Sequence, residues 1–175
     1  MITITKATPE DALAIQNVLY QTWLATYPNE EYGITVEDIE VRFKERFTDS
    51  FLAKRRQALA CQNNDELFLV AKDGQEIIGI CSATKSDDRN ELMAIYVLPS
   101  YQGQGIGQMF WQEINKFFNP ELDIFVCLAV YNFAAMKFYQ KLGFVDTGRR
   151  FTQDRLKMPV SGNYIPEMEM VIKHS

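Results

Sequence analysis

The first third of the chain carries apolar residues at the spacing of amphipathic helices. Between Leu13 and Trp23 they recur every three or four positions, which places them on one broad face of a helix. Thr8 can cap this helix, and Pro9 suits its first turn. Residues 3–6 alternate weakly and precede the helix as a short strand. The pattern therefore predicts that the chain opens with a strand and a helix.

Two more helices are predicted before the pattern changes. Thr35, followed three positions later by Asp38, resembles a capping box, in which each side chain binds the backbone N–H of the other residue. This start predicts a helix that runs through Phe47. A third, shorter helix is predicted over residues 51–60.

After residue 63 the pattern changes to short apolar runs bounded by turn residues, which is typical of strands. Asp73 and Gly74 form a tight turn between two such runs. The predicted strands are 67–72, 76–81, 91–98, 122–130, 144–152 and 168–172, and the predicted helices between them are 105–118 and 132–142. This order, a meander followed by strand, helix, strand, helix and strand, predicts an α/β fold with a mixed sheet.

Composition narrows the classes of function. The longest apolar run, residues 124–130, is far too short to span a membrane, and the first residues lack the pattern of a signal peptide. We therefore expect one cytoplasmic domain over residues 1–175, with no membrane partner. The net charge of −5 disfavours nucleic acid as the main partner.

The cysteines and the single histidine exclude several chemistries. Cys61, Cys81 and Cys127 are odd in number and form no CxxC pair, so reduced and mostly buried thiols are expected rather than disulfides or a zinc site. His174 is the only histidine, which removes most Ser-His-Asp mechanisms and most histidine-based metal sites. We expect no metal, and proton transfer by carboxylates, tyrosine, cysteine, lysine or water.

A glycine-rich segment, residues 102–107 (QGQGIG), lies between a predicted strand and a predicted helix. Backbone N–H groups converge at such a junction, and glycines let them approach an anion closely. The spacing does not fit a P-loop, which needs a lysine after its last glycine. It does not fit a dinucleotide fingerprint either, because Gln108 stands where the third glycine after Gly103 and Gly105 is required.

The segment resembles the pyrophosphate loop of the GNAT superfamily of N-acetyltransferases, whose pattern is [RQ]xxGx[GA]. Residues 95–101 resemble the family's preceding strand and turn, and residues 132–144 resemble its helix that ends in leucine, glycine and phenylalanine. The resemblance is strong from residue 67 to residue 148. It implies a GNAT-type α+β fold: a mixed, mostly antiparallel sheet of about seven strands, flanked by helices and splayed between strands 4 and 5.

The resemblance also implies acetyl-CoA as co-substrate, with its pyrophosphate on the loop backbone and its pantetheine on the splayed strand. By position, the residues expected to contact it are Ile95, Tyr96, Val97, Gln102, Gly103, Gln104, Gly105, Ile106, Gly107, Gln108, Asn132, Ala135 and Tyr139. The implied reaction is acetyl transfer to an amine by direct attack in a ternary complex.

Two catalytic residues follow from the resemblance. Tyr139 stands where the family has a general acid for the leaving thiolate, although a packing role beside Phe133 and Phe138 stays open. Glu91 precedes Gln102 by 11 residues, where some members carry a general base, and a loop-end charge is the alternative.

A cysteine acyl-enzyme is another route. Cys127 would be its nucleophile, but its apolar run indicates core.

The acceptor is expected to be a primary amine, either a small molecule, a polyamine or a peptide N-terminus. The candidate substrate residues are Trp23, Tyr27, Glu30 and Tyr32, because aromatic rings and acids suit a cation. Core aromatics beside a solvated acidic helix are the alternative. A homodimer, a non-catalytic acyl-CoA-binding module and another nucleotide-binding α/β protein also stay open.

Overall fold

The computed structural model describes residues 1–174 and contains one seven-stranded sheet with helices packed against it. In chain order the elements are β1 (Ile2–Lys6), α1 (Ala12–Thr26), α2 (Val36–Arg46), α3 (Asp49–Ala60), β2 (Glu66–Asp73), β3 (Glu76–Lys85), β4 (Asn90–Val97), α4 (Ile106–Ile114), β5 (Ile124–Ala129), α5 (Phe133–Lys141), β6 (Val145–Phe151) and β7 (Glu167–Ile172). Short 3₁₀ turns precede α1, α4 and the segment leading to β7. None of the helices in residues 1–174 is long and apolar enough to cross a membrane.

The strands lie in the order β1-β2-β3-β4-β5-β7-β6. All neighbours are antiparallel except β4 and β5, which run parallel. The predicted mixed, mostly antiparallel sheet is therefore confirmed. The last strand, β7, inserts between β5 and β6, so the start of β7 lies beside the end of β5.

The core lies on both faces of the sheet. Five consecutive residues of β3, 77–81, are all buried, and successive strand side chains point to opposite faces. Both α1 and α4 pack against this strand. At Gly79 the Phe110 ring of α4 lies so close that an added Cβ would stand 3.1 Å from it.

The capping box predicted for α2 is present. The Thr35 hydroxyl accepts a hydrogen bond from the Asp38 N–H at 3.0 Å, and the Asp38 carboxylate accepts from the Thr35 N–H at 2.9 Å. Several boundaries differ from the prediction by a few residues, and two elements differ by four at one end. Helix α4 ends four residues early, because the chain turns after Ile114, and β3 extends to Lys85, because β2 and β4 pair with it over that length.

Candidate active site

The sheet opens between β4 and β5. Asn90, Glu91 and Leu92 pair with residues 124–126 of β5, and the parallel pairing ends there. On its other side β4 stays paired with β3 as far as Val97. Residues 93–97 therefore have β3 on one edge only, which leaves main-chain N–H and C=O groups for an extended ligand.

A groove of about 920 Å³ lies over this open edge, and we call it the coenzyme groove. Residues of α1, β4, the glycine loop and the start of α5 form its walls. The predicted coenzyme contacts that line it are Ile95, Tyr96, Val97, Gln102, Gly103, Gly105, Ile106, Gly107, Gln108, Asn132, Ala135 and Tyr139. Gln104 does not line it, because its side chain turns away to donate to the Ser100 carbonyl at 3.3 Å. The volume lies at the upper end of the usual range for ligand sites, as a large ligand requires.

The glycine loop adopts a backbone that only glycine tolerates well. Gly103 and Gly105 have φ angles of +78° and +82°, and Gly105 caps the N-terminus of α4. A Cβ on Gly107 would lie 3.0 Å from the Phe138 ring, so this position keeps α4 and α5 close together. Gln102 ties the loop to β4 by donating to the Val97 carbonyl at 3.0 Å. The N–H groups of this helix start and its dipole suit an anion such as a diphosphate.

Tyr139 lies on α5 and lines the groove, although only 5% of the residue is exposed. Its ring packs edge-on against Phe138 and Phe144, with centroids 5.3 Å and 5.5 Å away. Burial raises the pKa of its hydroxyl far above the ordinary tyrosine value. The hydroxyl therefore stays protonated, which suits a proton donor, and the ring contributes to the core at the same time.

Asn132 caps α5, as predicted for an asparagine that directly precedes a helix. Its side-chain oxygen accepts a hydrogen bond from the Ala135 N–H at 3.1 Å. The neighbouring Phe133 is 65% exposed and lines the groove. An apolar ring left open to solvent at this wall offers contact area to a ligand.

A second cavity of about 50 Å³ lies on the other side of Tyr96, and we call it the acceptor cavity because it contains two of the predicted acceptor residues, Trp23 and Tyr27. Tyr96 lines both spaces, and its hydroxyl lies 2.7 Å from that of Tyr27. The polar and reactive side chains at the acceptor cavity are those of Trp23, Tyr27, Glu91, Tyr96, Cys127, Arg155 and Glu167. The space suffices for a few water molecules or one ammonium head group.

Glu91 lies where the sheet opens, as its position in the sequence indicates. It is in the second of the three parallel pairs between β4 and β5, and its side chain is 34% exposed. Arg89 approaches its carboxylate to 3.5 Å. The structure therefore brings a solvated, cation-paired carboxylate to the wall of the acceptor cavity.

The structure adds a second carboxylate that the sequence did not single out, that of Glu167 at the start of β7. The residue is 5% exposed, accepts a hydrogen bond from Gln153 at 2.6 Å and lies 3.5 Å from Arg155. Burial raises the pKa of its carboxyl, Arg155 and Gln153 oppose this, and the charge of Glu91 adds to it. Its only sequence signal is alternation with methionines, a pattern typical of a strand with one solvated face.

The four candidate substrate residues divide into two pairs. Trp23 and Tyr27 line the acceptor cavity, and Trp23 also belongs to the core at 6% exposure. Glu30 lies exposed in the turn after α1 and lines neither space. Tyr32 stacks on Tyr131, with ring centroids 5.1 Å apart. Tyr131 lines the coenzyme groove, whereas Tyr32 does not.

The three cysteines differ in environment, and only Cys81 is buried, whereas Cys61 is exposed and Cys127 is intermediate. The expectation of mostly buried thiols is therefore wrong for two of them. Cys127 lines the acceptor cavity rather than the interior, because β4 and β5 are no longer paired beyond Val126. Burial, with smaller contributions from nearby glutamates, raises its pKa to about 11, so it is a thiol at neutral pH and a weak nucleophile.

Residues 20–144 match the model of the Acetyltransferase (GNAT) family, which is well over half of the chain. No curated protein sequence matches the chain.

Solved structures of acetyltransferases share the fold over nearly the whole chain. The PaiA N-acetyltransferase of Thermoplasma acidophilum, in complex with coenzyme A, is 24% identical with a TM-score of 0.66, over 95% of this chain and 98% of its own. The ribosomal-protein-S18-alanine N-acetyltransferase of Escherichia coli is 15% identical with a TM-score of 0.66, over 100% and 95%. YncA of Salmonella typhimurium, a putative acetyltransferase with acetyl-CoA, is 20% identical with a TM-score of 0.59, over 99% and 94%.

Proposed function

Because this chain belongs to the GNAT family of acetyltransferases, we propose that it transfers the acetyl group of acetyl-CoA to a primary amine. The observation that carries the proposal is the open edge of β4 leading into the glycine loop. An extended pantetheine arm needs a free strand edge, and a diphosphate needs converging N–H groups at a helix start. Both are found along one groove, in the order that the coenzyme requires.

The residues of the groove fit acetyl-CoA on two further counts. Gly103 and Gly105 carry no side chain, and no atom lies within 4 Å of the place where a Cβ would stand, so the loop backbone is open to a ligand there. The exposed Phe133 ring adds apolar contact at the α5 wall. When bound, the coenzyme supplies the acetyl group as an activated thioester.

The side chains around the groove then divide the remaining chemistry. The main-chain N–H groups of Ile95 and Val97, which point away from β3, can donate to a carbonyl oxygen as negative charge develops on it. Tyr139, kept protonated by burial, is the proposed donor to the departing sulfur. Glu91 is the proposed base for the amine, directly or through water, and holding both substrates in adjoining spaces supplies much of the rate.

The acceptor cavity favours a cationic head group over an anionic one. Two carboxylates line it, against the single guanidinium of Arg155, whose side chain is 56% exposed. Since the cavity is small, a primary ammonium group fits it better than a substituted one.

A thiol-release screen tests the proposal. Acetyl-CoA is incubated with polyamines, amino acids, aminoglycosides and peptides, and free thiol is measured together with the acetylated product. We expect turnover with at least one primary amine. Tight acetyl-CoA binding without thiol release on any amine would indicate a non-catalytic binding module. Binding of NAD or ATP, but not of coenzyme A, would overturn the coenzyme assignment.

A further inference from the structure

Two carboxylates reach the acceptor cavity from different strands. Glu91 comes from β4, where the sheet opens. Glu167 is the first residue of β7 and stands opposite Ala129 of β5 and Phe151 of β6. Both line the same small space.

The two carboxylates differ in how far each is removed from solvent. The Glu91 side chain is 34% exposed and has Arg89 at 3.5 Å, so it keeps contact with solvent and with a cation. Glu167 is 5% exposed, and its nearest cation, Arg155, is itself 56% exposed at 3.5 Å. Desolvation raises the pKa of Glu167, and the solvated Arg155 and the hydrogen bond from Gln153 offset only part of it.

The groups that face Glu167 leave the effect of its burial in place. The titratable side chains near it on other elements are Arg155 before β7, Glu91 and Tyr96 on β4, and Cys127 on β5. Glu169, two residues along β7, is engaged by Arg89 and Arg149 at 3.1 Å and 3.2 Å. Burial raises the pKa of Glu167, and Arg155 and Gln153 lower it only in part. A base whose pKa lies closer to neutrality is the better proton acceptor.

We infer that Glu167 is a catalytic base of the acetyl transfer, taking the first proton from the acceptor's ammonium group while Glu91 attracts that group into the cavity. The inference rests on the proposed function and deepens it. It divides between two carboxylates the work assigned above to Glu91 alone. It also defines the acceptor class as amines that are protonated when they bind.

The protons and bonds balance as follows. The ammonium group gives one proton to the Glu167 carboxylate, which later releases it to solvent. The freed nitrogen lone pair forms a C–N bond to the acetyl carbonyl carbon, and the C–S bond breaks with its electron pair on sulfur. Tyr139 gives its hydroxyl proton to that sulfur, and the second proton leaving the nitrogen restores Tyr139 through solvent. The sum is ammonium plus thioester to amide, thiol and one free proton.

The pH dependence of kcat/KM tests the inference, measured with acetyl-CoA and the most active amine of the thiol-release screen. Glu167→Gln is expected to lower kcat/KM at neutral pH by about 10²-fold to 10⁴-fold, the usual contribution of a general base. The remaining kcat/KM of Glu167→Gln should rise steadily with pH. Without the base only the unprotonated amine reacts, and its fraction increases with pH. Glu91→Gln is expected to raise the amine KM and to change kcat little.

Three controls separate catalysis from structure. Glu169→Gln removes an equally buried carboxylate from the same strand, outside the cavity. This variant should keep the acid limb of the wild-type profile, that is, the fall of kcat/KM at low pH. The affinity of Glu167→Gln for acetyl-CoA shows whether the coenzyme groove of this variant is intact. Should that variant fail to bind, Glu167→Asp decides the matter, because a displaced acid limb supports the inference and an unchanged limb overturns it.

The possible failures are distinct. Wild-type protein that acetylates no amine overturns the proposed function, and the inference with it. Active wild-type protein whose acid limb persists in Glu167→Gln overturns the inference alone.

Discussion

The hydroxyl oxygens of Tyr27 and Tyr96 lie 2.7 Å apart, at the boundary between the coenzyme groove and the acceptor cavity. Tyr96 projects from the splayed strand and lines both spaces, whereas Tyr27 follows α1 and lines the acceptor cavity. Burial raises the pKa of both hydroxyls, so the pair is a hydrogen bond between neutral groups. A bond between residues 69 positions apart thus lies where, on the proposed function, the two substrates would meet.

Removing one member of this pair should affect the acceptor more than the coenzyme. Tyr27→Phe leaves the Tyr96 hydroxyl without its partner, at an expected cost of about 1 kcal/mol in the free energy of unfolding. The amine KM should rise by about fivefold, because about 1 kcal/mol of lost binding free energy corresponds to that factor. The Kd of acetyl-CoA should stay unchanged. Steady-state kinetics and calorimetry check this. In Tyr27→Phe/Tyr96→Phe the cost should be smaller than the sum of the single variants, and simple additivity would show that the bond contributes nothing.

Tyr139→Phe should separate binding from chemistry. The ring still fills its place between Phe138 and Phe144, so acetyl-CoA should bind as in the wild type. Without the proton donor, kcat should fall by about 10²-fold. Tyr20→Phe, the same change on α1 beside Phe43, is the matched control and should keep full activity. Unchanged turnover in Tyr139→Phe would remove this hydroxyl from the mechanism.

Gly107→Ala tests the packing that supports the coenzyme loop. The new methyl group would stand 3.0 Å from the Phe138 ring, which also lines the groove. The ring or the loop must shift, and we expect acetyl-CoA affinity to fall by about tenfold, roughly 1.4 kcal/mol. Isothermal titration measures this. Gly107→Ala/Phe138→Leu removes the conflicting ring atoms and should recover part of the affinity, and no recovery would indicate a cause other than this contact.

Asp38 should make the protein sensitive to acid. Its carboxylate is fully buried and accepts hydrogen bonds from the Val160, Ser161 and Thr35 N–H groups at 2.8–3.0 Å. Burial alone would raise its pKa, but the hydrogen bonds from Ser161 and Thr35 hold it at about 2, below the ordinary value of 3.8. The resulting stability, about 2 kcal/mol, is present above the unfolded pKa and is lost as the pH falls through the folded one.

Asp38→Asn should therefore lower the free energy of unfolding by about 2 kcal/mol near neutral pH, with the difference vanishing as the pH falls to about 2. Denaturant unfolding at several pH values measures it. Asp146→Asn is the matched control, because its pKa is also held at about 2, by Arg150 and the Gly148 N–H, but its side chain is 40% exposed. Solvent screening limits that variant to a loss of about 0.5 kcal/mol. Equal losses in both variants would show that burial is not the cause.

Cys127→Ala should leave the enzyme active. Its thiol has a pKa of about 11 and is protonated at neutral pH, so it is poorly suited to form an acyl-enzyme. We expect kcat/KM to stay within about threefold of wild type, the allowance for one altered contact in the cavity. Mass spectrometry of wild-type protein after acetyl-CoA treatment should show no acetyl group on Cys127. A trapped thioester there would replace direct attack by a two-step route.

Local patterns were sufficient to predict much of this protein. The capping box of Thr35 and Asp38, the hairpin at Asp73 and the loop at residues 102–107 each depend on neighbours within a few positions, so they are legible in the sequence alone. The family resemblance added a mostly antiparallel sheet of about seven strands that opens between strands 4 and 5, and the structure confirms both.

The acceptor side depended on contacts between distant residues, which no local pattern records. Glu167 alternates with methionines as a solvated strand face would, yet it is buried because β7 inserts between β5 and β6. The sequence places Tyr27 at the end of a helix, yet its hydroxyl forms a hydrogen bond with that of Tyr96, which lies 69 positions away in the chain. Sequence periodicity reports which way a side chain points from its own element, whereas burial and pKa depend on what packs against it. The sequence therefore determined the glycine loop and its helix, whereas tertiary pairing decided that Glu167 joins Glu91 at the acceptor cavity.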